Sequence, residues 1–161
     1  MPVITQKQKK RKAEKAVIRM NSLYKRKHNL LAGLYAWILR VVFSFDIQPG
    51  TSVDTSVQFI HNGLGCVFHP KSIIDKNCKI YQNVTLGGNG KIIGGIETNL
   101  GAPHLEEGVA VFAGACVLGP IRIGKNSIIG ANSVITKDVP ENSLVFGNPA
   151  IIKEKTFEYS F

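Results

Sequence analysis

Leu105-Glu106-Glu107-Gly108-Val109-Ala110-Val111-Phe112-Ala113-Gly114-Ala115-Cys116-Val117-Leu118-Gly119-Pro120-Ile121-Arg122-Ile123 carries an aliphatic residue at every sixth position, and the series continues through Ile129 and Ile135. An amphipathic helix repeats near 3.6 residues and a half-buried strand at two, so a sustained period of six is neither. Six is the period of a solenoid whose coil has three short faces, one hexapeptide to a face. Three hexapeptides make an eighteen-residue coil, and coils stack at about 4.8 Å, the spacing of paired strands. The regularity excludes an ordinary sandwich, whose turns come every 8–12 residues.

Upstream, Phe68, Ile74, Ile80 and Leu86 keep the spacing, displaced by three residues from Ile47, Val53 and Phe59. Two interruptions follow: a small insertion near residues 60–67 and a glycine-rich loop at 87–104. The fourth residue after each aliphatic is small or β-branched, as at Thr51, Ser72, Cys78, Ala115, Ser127 and Ser133, which suits a tight corner. Gly124, Gly130, Asn126 and Asn132 are expected to supply backbone conformations that other residues resist. The fold expected is all-β, a parallel β-helix of four to five coils with a short N-terminal helical segment. Its parts are a basic arm and apolar helix at 1–45, the β-helix at 46–153, and a C-terminal tail at 154–161. A solenoid needs a cap at each end; the helix at 30–43 is the expected first cap and Glu154 to Phe161 the second.

At 161 residues the chain builds one domain with a sizeable core. Its charge is lopsided. Residues 1–28 hold ten Lys/Arg against the single acid Glu14, while 29–161 hold ten of each sign, so the net +9 belongs to the arm. Such an arm is either a solvated extension or a binder of an anionic partner, nucleic acid or a membrane surface. The segment from Leu30 to Phe43 that follows is apolar, carries Tyr35 and Trp37, and is too short and too interrupted by Arg40 to span a bilayer. That sequence favours a membrane interface over nucleic acid; packing on the solenoid end or on a neighbouring subunit is the other reading. No secretory signal is expected, because the basic stretch is long and no small-residue cleavage site follows Phe45. Cys66, Cys78 and Cys116 have no metal-like spacing and read as small hydrophobes in a reducing cytoplasm.

Asp46-Ile47-Gln48-Pro49, Phe59-Ile60-His61-Asn62-Gly63-Leu64-Gly65 and Val84-Thr85-Leu86-Gly87-Gly88 resemble the catalytic half of serine acetyltransferase, and more broadly the hexapeptide-repeat acyltransferase superfamily. Gly130-Ala131-Asn132-Ser133-Val134-Ile135-Thr136-Lys137-Asp138-Val139-Pro140 and Gly147-Asn148-Pro149-Ala150 resemble its C-terminal signature. The resemblance covers roughly residues 46–153. It implies a left-handed wind, a trimer with sites between protomers, and acetyl-CoA as donor, with no metal. It implies His61 as general base with Asp46, fifteen residues earlier, orienting it. Ala113 and Ala131 would meet the pantetheine arm, with Thr136 and Lys137 towards the nucleotide.

The chemistry supports those roles. Acetyl transfer from a thioester to an alcohol needs the hydroxyl proton removed during attack, which a neutral imidazole does well. A carboxylate on the other ring nitrogen fixes the tautomer. Stacking by eighteen residues puts Asp46 under residue 64, beside His61 rather than beneath it. No Ser or Cys sits paired with the base, so direct attack in a ternary complex is expected.

The serine-specific members carry a second histidine whose place, counted back from Gly108, is Ala102 here; His104 comes two residues late and is the candidate acceptor-binding residue. An aspartate before the base histidine is Ile60 here. Gly101-Ala102-Pro103 and Gly63-Leu64-Gly65 resemble instead the polysaccharide and surface-sugar O-acetyltransferases of the same superfamily, and a sugar hydroxyl is the acceptor expected. Serine is the alternative acceptor. A metal-binding or catalytically inert β-helix is the alternative of another class.

Overall fold

Residues 10–90, 92–93, 96–97 and 101–156 are described by the computed structural model. The aliphatic ladder winds into three parallel sheets forming the faces of a left-handed parallel β-helix. Sheet A stacks Val67–Phe68, Thr85–Gly87, Cys116–Leu118 and Val134–Ile135, with Asp46 bridged to Val67 at its start. Sheet B stacks Ser52–Val53, Ile73–Ile74, His104–Leu105 and Arg122–Ile123, and Val139 bridges to Ile123. Sheet C stacks Gln58–Phe59, Lys79–Ile80, Ala110–Val111, Ile128–Ile129 and Ser143–Phe146, closed by the antiparallel strand Ile151–Glu154. The tail expected from Glu154 therefore begins as the end of a strand, and residues 157–161 lie outside the described residues.

The register shows where the repeat is broken. Val67 pairs with Thr85 and His104 with Arg122, offsets of 18 residues, whereas Ser52 pairs with Ile73 and Ile73 with His104, offsets of 21 and 31. The three extra residues lie in the turn Ile60–Gly63, and the thirteen further on in the 87–103 loop. Asp46 accordingly lies under Val67, not under residue 64 as eighteen-residue stacking implied. Within the glycine-rich loop Ile92–Ile93 and Ile96–Glu97 pair antiparallel; Gly94 and Gly95 lie outside the described residues.

Inside the prism each face contributes one column: Phe68, Leu86, Val117 and Ile135 in sheet A, Ile74, Leu105 and Ile123 in B, and Phe59, Ile80, Val111, Ile129 and Val145 in C, all buried. The small residues at the corners, among them Thr51, Ser72, Cys78, Ala115, Ser127 and Ser133, are buried too. The first coil is filled by Phe45, whose ring centroid lies 5.0 Å from Phe59 and 5.1 Å from Phe68, edge-on to both. Asn126 and Asn132 do adopt left-handed backbone, at φ 56° and 55°. Gly124 and Gly130 do not; they are small because a Cβ at Gly124 would collide with the Pro140–Glu141 backbone and one at Gly130 would press on Val145 and Phe146.

The arm is helical in its described part. Helix α1 spans Lys12–Lys25 and helix α2 spans Asn29–Phe43, together forming a hairpin. Ala13, Val17, Met20 and Leu23 are the buried stripe of α1, and Ala32 and Leu39 the buried points of α2. Most of the polar contacts to the first coil come from α1, and α2 adds the Arg40–Asp46 ion pair. The Asn21 side chain donates to the Thr51 carbonyl and accepts from the Gly50 N–H. Glu14 is 3% exposed. Its carboxylate accepts from the Phe59 N–H at 3.0 Å and the Arg11 N–H at 2.7 Å, with the Arg11 guanidinium 3.0 Å away. The Ala13 N–H donates to the Asn62 side chain.

Three outcomes follow from this packing. Ile123→Ala opens a cavity in a close-packed column and lowers unfolding free energy by about 2–5 kcal/mol, read by urea titration. Glu14→Ala strips the acceptor from a buried N–H and costs about 1–3 kcal/mol in the same titration. Burial pushes the Cys66 and Cys78 thiols up from 9.0 to about 11 and about 12. Between pH 9 and 12 the unfolded chain then holds fewer protons than the folded one, so stability falls as pH rises through that window. A thiol reagent at pH 8 labels neither residue until the protein unfolds, a pattern that mass spectrometry of the labelled peptides checks.

Candidate active site

His61 stands in the turn Ile60–Gly63, at the prism edge where sheet C passes to sheet A. Its backbone is left-handed, φ 55° and ψ 33°, and so is that of Asn62, at φ 59°. Such a conformation is uncommon outside glycine, though His and Asn tolerate it better than most residues. Gly63 follows at φ 68°, packed so tightly on the Phe45 ring that a Cβ there would clash with it. The insertion thus swings His61 outward, and its side chain is exposed.

The expected hydrogen bond between His61 and Asp46 is not made. Phe45 packs under the His61 turn, so Asp46 belongs to the same corner, but its carboxylate lies 3.9 Å from the Arg40 guanidinium. Among the described residues the His61 ring has no hydrogen-bond partner. Three residues beyond it, successive corners of the same edge are tied together. The Asn83 N–H donates to the Leu64 carbonyl, the Gly114 N–H to that of Gln82, and the Asn132 N–H to that of Ala113. Ala113 and Ala131 therefore lie on the edge that His61 begins, Ala131 three strand spacings from Leu64, or roughly 14 Å.

Thr136 and Lys137 are exposed and sit one corner further round, after Val134–Ile135, where sheet A passes to sheet B. His104 is further still from His61 along the coil, on the outward side of sheet B. Its Nε2–H donates to the Asp75 carboxylate at 2.9 Å, a bond that fixes the imidazole. Beside it the Arg122 guanidinium pairs with Glu106 and holds that carboxyl below the usual carboxylate range. One chain by itself does not bring His104 to the His61 edge. Among the described residues no three His, Cys, Asp or Glu side chains gather as a metal-ligand set.

Two features of the edge were not singled out from sequence. Tyr81 and Phe112 stack face to face, centroids 4.7 Å apart and planes 11° apart, beside the Gln82–Ala113 corner. The Gln82 Oε1 is buried without a partner among the described residues. The repeat held the signal for the ring pair: Tyr81 and Phe112 each directly follow a sheet C aliphatic, Ile80 and Val111, which the register pairs. For Gln82 no sequence signal exists, since an unmet acceptor is a property of packing.

Comparison with known proteins agrees with this geometry. Residues 102–137 match the family of bacterial transferase hexapeptide, six repeats. A serine acetyltransferase of Staphylococcus xylosus is 39% identical over 146 residues, covering 86% of this chain and 65% of the relative. The structure of serine acetyltransferase from Brucella abortus strain S19 in complex with coenzyme A superposes with a TM-score of 0.79 at 32% identity, covering 90% of this chain and 56% of that one. Serine acetyltransferase from Neisseria gonorrhoeae in complex with serine gives 0.75 at 33%, covering 86% and 54%. The chain thus spans about half to two thirds of the length of these relatives. Repeat, register and relatives converge: the β-helix of this chain is that of the hexapeptide-repeat transferases, and its sequence is similar to serine acetyltransferases.

Proposed function

We propose that the chain is an O-acetyltransferase carrying acetyl from acetyl-CoA to an acceptor hydroxyl, with serine as the leading acceptor. One observation carries the reading: a single prism edge runs from the outward-turned His61 to the corners at Ala113 and Ala131. Ala113 and Ala131 carry only a methyl, so an extended thioester arm can approach the backbone at those two positions. Thr136 and Lys137, one corner away, would take its nucleotide end, Lys137 pairing with phosphate as a point charge.

In this reading neutral His61 takes the hydroxyl proton as the oxygen attacks the thioester carbonyl, and returns it to the departing thiol. Asp46 would serve as its orienting carboxylate; it follows Phe45, on whose ring the His61 turn packs. The same reading carries the trimer and the cytoplasmic location that the family resemblance implies. A sugar hydroxyl is the second reading, favoured by Ala102 and Ile60, which stand where serine-specific members carry a histidine and an aspartate.

His61→Ala is expected to lower turnover on the order of 10²- to 10⁴-fold while calorimetric acetyl-CoA binding persists; turnover unchanged by that variant refutes the assignment. Thiol release from acetyl-CoA, assayed with L-serine and separately with free and nucleotide-linked sugars, decides the acceptor.

A further inference from the structure

The hairpin of α1 and α2 presents to solvent a surface that neither the coils nor the candidate active site uses. On α2, Leu30 is 92% exposed, Trp37 59% and Val42 63%, and Leu31, Leu34 and Val41 are about half exposed. Leu30, Leu34, Trp37 and Val41 line the side of α2 opposite its buried points Ala32 and Leu39, and Leu31 and Val42 stand on its flank. A helix with apolar residues on both sides is normally covered on both. Nothing among the described residues covers the outer one.

The exposed side of α1 is cationic. Lys12, Lys15, Arg19 and Arg26 are exposed at helical spacing along α1 and its C-terminal cap, on the side away from Glu14 and Asn21, which hold α1 to the first coil. Lys25 and Lys27 add to it where the hairpin turns. Glu14, the one acid of the first 28 residues, is buried and fully engaged, so it offsets none of this charge at the surface.

We infer that this hairpin face docks the protein on an anionic lipid bilayer, α2 lying in the plane of the interface. Charge decides the occupant. A second copy meeting the same face, across a two-fold axis or about the three-fold axis of a trimer, brings cationic ridges together with no exposed acid on any hairpin to offset them. An anionic headgroup layer neutralises the ridge while the acyl boundary accepts Trp37 and its aliphatic neighbours. Helix α2, at 15 residues, extends about 22 Å, and no described helix is long and apolar enough to cross a membrane. The contact is therefore superficial, held by two weak attractions acting together. It is independent of the acetyl-transfer reading.

Trp37 is the chain's single tryptophan and reports directly on this face. With full-length protein and vesicles of phosphatidylcholine containing phosphatidylserine, Trp37 emission should move to the blue and be quenched by lipids brominated on their acyl chains. Both changes should fade with added salt and be absent with phosphatidylcholine alone. Replacing Lys12, Lys15 and Arg19 together by Gln should weaken sedimentation with the anionic vesicles on the order of a hundredfold. Leu34→Asp should abolish it without lowering the melting temperature, since that side chain is exposed. The inference is overturned if anionic vesicles leave both emission and sedimentation unchanged, or if charge and salt have no effect on binding. It is equally overturned if Trp37 is already blue-shifted without lipid in a species of higher mass that Leu34→Asp returns to lower mass, which would make a second copy the occupant.

Discussion

Strands of two residues cannot stand alone; in this protein most are that short, and each persists because strands above and below it complete its hydrogen bonds. No strand in the stack holds its place without its neighbours. That dependence forces the coil to repeat at one height. The apolar columns Phe59–Ile80–Val111–Ile129–Val145 and Phe68–Leu86–Val117–Ile135 then follow, because the residue that points inward in one strand must lie on the one that points inward in the next. Stability in such a stack is a sum over nearest-neighbour contacts rather than the property of one central core.

The same constraint decides where the chain can depart from its repeat. An insertion within a strand would break pairing on both sides. An insertion at a corner leaves the strands on either side in register, as at Ile60–Gly63 and at 87–103, after which the columns resume unshifted. Corners are therefore where a solenoid acquires chemistry. The turn bearing His61 is one insertion, and the loop that ends just before His104 is the other.

How much of this was legible in the sequence depended on the range of the interaction concerned. The columns, the corner positions and both insertions could be read, because a period of six is local and repeated. The helical state of Lys12–Lys25 was obscured by its charge; its apolar stripe, Ala13, Val17, Met20 and Leu23, is narrow and lies between lysines and arginines. The partner of Asp46 was misplaced by three residues, because the stack beneath His61 follows the inserted register rather than the ideal one. The Asp75–His104 bond joins residues 29 apart in sequence across two coils, and only the 31-residue offset that the loop creates brings them side by side. Glycine is needed at 124 and 130 for closeness to the next coil, not for the backbone freedom that the repeat suggests.

The hairpin and the His61 turn are physically one unit. Two consecutive non-glycine residues in left-handed backbone cost about 1–2 kcal/mol each, and a turn left to itself would relax. Here the N-terminal end of α1 lies against it. The Phe59 N–H, just before the turn, ends on the buried Glu14 carboxylate, and the Asn62 side chain accepts from the Ala13 N–H. A hydrogen bond to a charged acceptor contributes about 1.5–3 kcal/mol, enough to offset most of that strain. The outward pose of His61 is thus held from the arm side as much as from the coil side. Whatever seats or unseats α1 acts on the turn that bears the imidazole through two hydrogen bonds.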